Sequence, residues 1–219
     1  MVHVYYHIYA VDGVEEIINE QLSLIDAHFD FSYILNIGIS IGNDNKSNEW
    51  IYTKIIKRQN SNWRIRDIRA NGHEFVTLDL IEKDKEKFGD SDYILYLHTK
   101  GASKIGLNDY GNIQSWRRLM NYFNIEKAKN VFQIFQRSNF NTYGVLFTSI
   151  ANWRIYSGNF WWMTGEYARS LKLDGIRKSR TNAETGFIQN GVDWKPYSPY
   201  NREGENHYLI EFKREEYAK

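Results

Sequence analysis

The chain has 219 residues, 42% of them hydrophobic and 16% aromatic, enough to bury a sizeable core and too apolar for a disordered chain. Its 28 basic residues nearly balance its 27 acidic ones, and a formal net charge of +1 argues against nucleic-acid binding through a globally basic surface. The absence of cysteine removes disulfides, thiolate metal sites and cysteine nucleophiles together, and fits a reducing cytosol. Met1 to His7 lack the basic start and apolar core of a signal peptide. No apolar run approaches the roughly 20 residues that span a bilayer. The expectation is a soluble, cytoplasmic protein with no integral membrane segment.

Val2 to Ala10 is a β-branched and aromatic run, a first strand. Val11-Asp12-Gly13 turns the chain into a helix over Val14–Phe29, where Val14, Ile17, Ile18, Leu22, Ile25 and Phe29 keep helical spacing. Phe31 to Ile41 is a second strand, ended by the turn-rich Gly42 to Lys46. Trp50 to Lys57 suits a short strand or a helix, and a strand follows near Trp63 to Ile68. Asn71-Gly72-His73-Glu74 breaks the pattern before a helix over Phe75–Lys87.

Tyr93 to Leu97 is a short buried strand, and Trp116 to Arg137 one long helical segment. Tyr143 to Phe147 is another strand, Ile155 to Thr164 is dense in aromatics, Asn182 to Gln189 is a short helix, and Tyr208 to Phe212 a late strand. Strands alternating with helices predict a mainly parallel α/β sheet flanked by helices, in a single domain.

The richest segment for chemistry is His98-Thr99-Lys100-Gly101, directly after the Tyr93–Leu97 strand. In an open α/β sheet, ligands bind beyond the carboxyl ends of the strands. There Lys100 can neutralise phosphate, with Gly101 allowing close backbone approach. His98 suits a metal ligand, a hydrogen-bond donor or a core histidine equally. Asp90-Ser91-Asp92 has the form of a metal-binding pair but precedes its strand, so it belongs at the opposite edge, roughly 17 Å away, as a solvated turn. Glycine-rich dinucleotide and P-loop patterns are both absent.

Asn71 and Glu74 suit either capping of the following helix or recognition of a base or sugar hydroxyl. Ser157-Gly158-Asn159-Phe160-Trp161-Trp162 offers an amide and stacking faces, and two adjacent tryptophans on an extended segment cannot share one core. At least one is therefore expected to line a groove or contact another element. Glu184, early in its predicted helix, is either a cap or a base for an acceptor hydroxyl. Arg117 is either a phosphate contact or, more simply, a surface arginine.

Together these pieces resemble small glycosyltransferase-like proteins of the GT-A type, including proteins linked to rhamnose-rich polysaccharide synthesis. The resemblance rests on Tyr6-His7-Ile8-Tyr9, Asn71 to Glu74 with Thr77-Leu78, Tyr96 to Gly101, Trp116-Arg117 with Met120, Ser157 to Trp162, and Ala183-Glu184. It implies a Rossmann-like GT-A domain, with a nucleotide-sugar half over about residues 1–110 and an acceptor half over about 111–219. It implies a nucleoside-diphosphate sugar as donor, bound by His7, Tyr9, Asn36, Asn71, Glu74, His98, Thr99, Lys100 and Gly101. A glycan acceptor would meet Ser157, Gly158, Asn159, Trp161 and Trp162, with Glu184 as base. The missing Asp-x-Asp after the strand departs from the broad GT-A pattern and leaves the need for Mn²⁺ or Mg²⁺ open, with His98 as a possible ligand. A non-catalytic carbohydrate-binding domain of the same fold and a nucleotidyltransferase are the alternatives.

Overall fold

The computed structural model describes residues 1–42, 49–51, 53, 55, 62–70, 72–150, 153–173 and 179–218. Its centre is β1 (Val2–Ala10), an almost wholly buried strand, as expected where helices cover both faces of a sheet. It pairs in parallel with β2 (Tyr33–Ile41) on one side and with β4 (Tyr93–His98) on the other. β3 (Trp63–Ala70) lies in parallel beyond β2, and its burial alternates residue by residue, as befits an edge.

Past β4 come β8 (Trp161–Thr164), β5 (Thr142–Gly144) and β9 (Pro196–Tyr197), giving a seven-stranded sheet of order β3-β2-β1-β4-β8-β5-β9. Only β8 runs against the rest, since it is antiparallel to both β4 and β5 while β5 and β9 are parallel. β6 (Phe147–Ile150) and β7 (Trp153–Tyr156) form a separate two-stranded hairpin. The mixed α/β architecture with a mostly parallel sheet agrees with the alternation in the sequence.

Helices divide between the two faces. α1 (Val14–His28), α3 (Tyr110–Asn121) and α4 (Ala128–Arg137) share one core with Val4, Tyr6, Leu95 and Trp162. α2 (Phe75–Asp84), α5 (Gly165–Arg169) and α6 (Arg180–Thr185) share the other with Tyr5, Ile94, Tyr96 and Trp161. α2 lies so close on β2 that a Cβ at Gly38 would collide with the Thr77 hydroxyl. Among the described residues no helix is long and apolar enough to cross a membrane.

Several boundaries differ from expectation for identifiable reasons. The Trp116–Arg137 segment begins earlier, at Tyr110, and is broken by a π-helical turn at Tyr122–Glu126. Inside it the Asn124 amide bonds the Met120 carbonyl at 2.9 Å, and the Asn124 carbonyl takes the Trp162 indole N–H at 3.0 Å. The strand expected over Tyr143–Phe147 splits into β5 and the start of β6. No strand forms over Tyr208–Phe212. That stretch is an irregular strap whose backbone is held by side chains: Asn112 donates to the Tyr208 carbonyl and the Phe212 N–H donates to Ser115. Trp50 to Lys57 lies largely outside the described residues, although Ile51 and Ile55 are buried in the core.

Candidate functional site

A cleft opens at the carboxyl ends of β1 and β4, lined by His7, Tyr9, Glu74, His98, Thr99, Lys100, Gly101 and Glu184 among others. It encloses about 160 Å³, room for a ligand rather than a trapped water, which needs roughly 10–15 Å³. Eight residues nominated from four separate sequence segments therefore meet in one place.

The loop after β4 is anchored from beneath. Thr99 donates its N–H to the His7 carbonyl at 3.0 Å and accepts the Tyr9 N–H on its hydroxyl at 2.9 Å, so it clamps the two strand ends together. Gln21 of α1 donates to the His98 carbonyl at 3.1 Å. Arg117 of α3 donates to the Lys100 carbonyl at 3.0 Å and pairs with Glu20 at 2.9 Å. Arg117 is thus neither a surface arginine nor a phosphate contact: it is 1% exposed and fixes the loop. Gly101 then turns the chain at φ 89°, where a side chain would be strained and would press on Ile113.

Lys100 is only 7% exposed. Its ammonium sits 4.2 Å from the Trp116 ring centre and 5.6 Å from that of Tyr208. Among the described residues no carboxylate lies within ion-pair distance of it, and aromatic faces hold this cation in the cleft. His98 Nε2 lies 2.9 Å from the Gly158 carbonyl, which can only accept, so Nε2 carries the proton. His98 Nδ1 faces Glu74 Oε1 at 3.9 Å. His7 is buried against Thr77, 3.1 Å from its hydroxyl, and desolvation lowers its pKa from 6.5 to about 3, so it serves the site as a neutral imidazole.

Glu74 stands just before α2 but its side chain makes no cap bond. Instead Oε2 accepts from the Tyr96 hydroxyl at 2.8 Å and the Asn159 amide at 2.5 Å. Asn159 has φ 59° and donates also to the Ala183 carbonyl at 3.2 Å, while its own oxygen accepts the Trp161 indole N–H at 2.8 Å. This one amide ties β8, Glu74 and α6 together. Glu184 lies in the last turn of α6, not the first, because the helix runs Arg180–Thr185 behind a Ser179 cap.

Other expectations are corrected. Trp161 and Trp162 are both 0% exposed and belong to opposite faces of the sheet, so neither offers a stacking face to an acceptor. The alternation argument assumed one core, whereas a sheet covered on both faces has two. Ser157 bonds His207 at 2.9 Å, and Gly158 is packed on Met120 and Trp116. Asn36 is buried midway along β2 and bound to Arg66 at 3.0 Å, away from the cleft. Asn71 lies outside the described residues.

His73, Ser103, Lys104 and Tyr208 also line the cleft and were not nominated. His73 sits inside the Asn71–Glu74 break, and Lys104 three residues after Gly101, so adjacency to the chosen motifs was the available signal. Tyr208 had none, since it arrives from the strap.

The Asp90-Ser91-Asp92 turn is at the amino edge, as expected. Asp92 pairs with the amino terminus at 3.0 Å and with His3 at 3.4 Å, and Asp90 pairs with Arg169. Among the described residues no group of three or more histidine or acidic side chains is placed to hold a metal ion, and Glu74 Oε2 is already bonded by Tyr96 and Asn159.

No curated protein matches the chain. A family model described as a domain of unknown function, DUF8361, matches residues 3–184, most of the chain. That span runs from within β1 to within α6 and includes every nominated cleft residue from His7 to Glu184, leaving the strap with Tyr208 beyond it. The chain belongs to the DUF8361 family.

Proposed function

We propose that the protein is a GT-A-type glycosyltransferase, moving a sugar from a nucleoside-diphosphate donor to a hydroxyl of a glycan acceptor. The observation that carries this reading is the Lys100 ammonium, buried without a carboxylate partner among the described residues at the carboxyl edge of the sheet, in a cleft that also holds Glu74 and Glu184. An uncompensated cation in a partly desolvated cleft suits a diphosphate, and the mostly parallel sheet suits a nucleotide-sugar fold.

In this reading the diphosphate lies against Lys100 and Lys104, which stabilise the negative charge that grows as the bond from sugar carbon to phosphate oxygen breaks. The electron pair of that bond leaves with the nucleoside diphosphate. Glu184 takes the proton of the acceptor hydroxyl as its oxygen bonds the sugar carbon. Pinning of the loop by Gln21 and Arg117 keeps the cation in place before the reaction begins. Tyr9 and Tyr208 supply the rings that the buried tryptophans do not.

The test is product analysis with a panel of nucleotide sugars, with and without Mn²⁺ or Mg²⁺. Release of nucleoside diphosphate, accelerated by glycan acceptors, is expected. Pyrophosphate release would instead make the protein a nucleotidyltransferase. No binding and no turnover across the panel would leave a non-catalytic carbohydrate-binding domain. Glu184→Gln should slow transfer by roughly 10²–10⁴ with donor affinity intact; normal turnover would assign the base elsewhere.

A further inference from the structure

Glu74 is a carboxylate only 8% exposed, and its two oxygens are unlike. Oε2 is fully engaged by Tyr96 and Asn159. Oε1 has no hydrogen bond among the described residues and has only the His98 ring near it, at 3.9 Å, on the wall of the cleft. Two donors, Tyr96 on β4 and Asn159 in the turn before β8, fix the carboxylate plane, so the direction in which Oε1 points is set before any ligand arrives. Oε1 is open to the cleft, and a ligand hydroxyl placed there would bond it.

Its position says which hydroxyl. The Asn159 amide that holds Glu74 also holds the Ala183 carbonyl, so Glu74 is one side chain away from the helix turn that carries Glu184. A group bound at Oε1 is therefore next to the reacting centre of the proposed transfer, and His98 links it to the Lys100 loop that would take the diphosphate. The part of a nucleotide sugar between diphosphate and acceptor is the sugar ring.

We infer that Glu74 Oε1 accepts a hydrogen bond from a hydroxyl of the donor sugar and makes the enzyme selective for donors that carry it, an assignment that rests on the glycosyltransferase reading. Tyr96 and Asn159 hold the acceptor oxygen in place. Such a site discriminates strongly, because a bound donor lacking the hydroxyl would shut this oxygen off from water without giving it a partner. Nucleobase imide and ribose hydroxyl groups are also hydrogen-bond donors, so the experiment must separate them from the sugar.

The experiment is calorimetric titration of wild type and Glu74→Gln with the free nucleoside diphosphate, with the nucleotide sugar that wild type binds best, and with its series of monodeoxy sugars. Glu74→Gln should bind the nucleoside diphosphate as wild type does, which also reports that the variant is folded. It should bind the intact nucleotide sugar roughly tenfold to a hundredfold more weakly. Wild type should reject one deoxy sugar by a similar factor, and the variant should no longer distinguish that sugar from its parent, as a coupled pair requires. Equal nucleotide-sugar affinity in the two proteins overturns the assignment alone. Equal losses for nucleoside diphosphate and nucleotide sugar also overturn it, moving the contact to ribose or base. If wild type binds no nucleotide sugar at all, the glycosyltransferase reading falls and this assignment falls with it.

Discussion

The two ends of β4 carry polar residues in similar numbers and use them in opposite ways. At the amino end, Asp90 and Asp92 are spent on local partners: Arg169, the chain's own amino terminus, His3 and the Gly89 N–H. Burial acts to raise the Asp92 carboxyl, but the Gly89 N–H and the amino terminus together bring it below its ordinary range. At the carboxyl end, the backbone carbonyls of His98 and Lys100 are tied down by Gln21 and Arg117 while the Lys100 side chain lines the cleft against the Trp116 and Tyr208 rings. A motif's residue types therefore say less than which strand end they occupy. The Asp-Ser-Asp pair closes a turn, and the His-Thr-Lys-Gly segment walls a cleft.

Four measurements would break or sharpen this contrast. Between the ends lies the packed middle of the sheet, where Trp162→Ala should cost the most, about 3–5 kcal/mol in chemical denaturation. A variant that kept its stability and lost only ligand binding would return Trp162 to the site. Next comes acid sensitivity at the cleft end. His7 has a folded pKa of about 3 because of burial, against about 6.5 unfolded. Between those values the unfolded chain binds the extra proton, so this stability is complete above about pH 6.5 and falls by about 1.4 kcal/mol per pH unit as pH drops toward 3. His7→Gln should remove that slope from a pH series of denaturation curves, and an unchanged slope would refute the burial argument.

Lys100→Ala should weaken nucleoside-diphosphate binding roughly tenfold to a hundredfold in calorimetry, and unchanged affinity would remove Lys100 from the site. Asp92→Ala, at the other end, should have the smallest effect. It should cost about 0.5–1 kcal/mol of stability and leave nucleotide affinity alone. A loss of binding there would erase the contrast between the ends.

The parts of the fold legible in the sequence are those whose environment is uniform along their length. β1 and β4 are buried on both faces and so read as nearly continuous apolar and aromatic runs, and α1 shows its spaced Val14, Ile17, Ile18, Leu22 and Ile25 plainly. The cleft was legible where its residues sit beside strand ends, as at His7, Tyr9 and His98 to Gly101. The rest depends on distant partners. Asn159 looked like a ligand-binding amide, yet every polar atom of its side chain is committed to Glu74, Ala183 or Trp161. Tyr208 to Phe212 has the aromatic content of a strand, but no neighbouring strand meets it, and its backbone is held by the side chains of Asn112 and Ser115. The break after Asn121 contains neither glycine nor proline, so nothing local announces it.

That π-helical turn also acts as a rotational setting. A wide turn carries one residue more than an α-helical path would need, and each residue of an α-helix advances the chain by about 100°. Deleting one residue within Tyr122–Glu126 would let the helix run straight and swing everything after it by about that angle. Val131 and Phe135, now against the sheet, would face elsewhere, and the Asn124 carbonyl that receives Trp162 would close back into the helix. The length of this five-residue segment is therefore under tighter constraint than its composition: substitutions there change contacts, whereas a deletion changes which side of α4 the sheet sees.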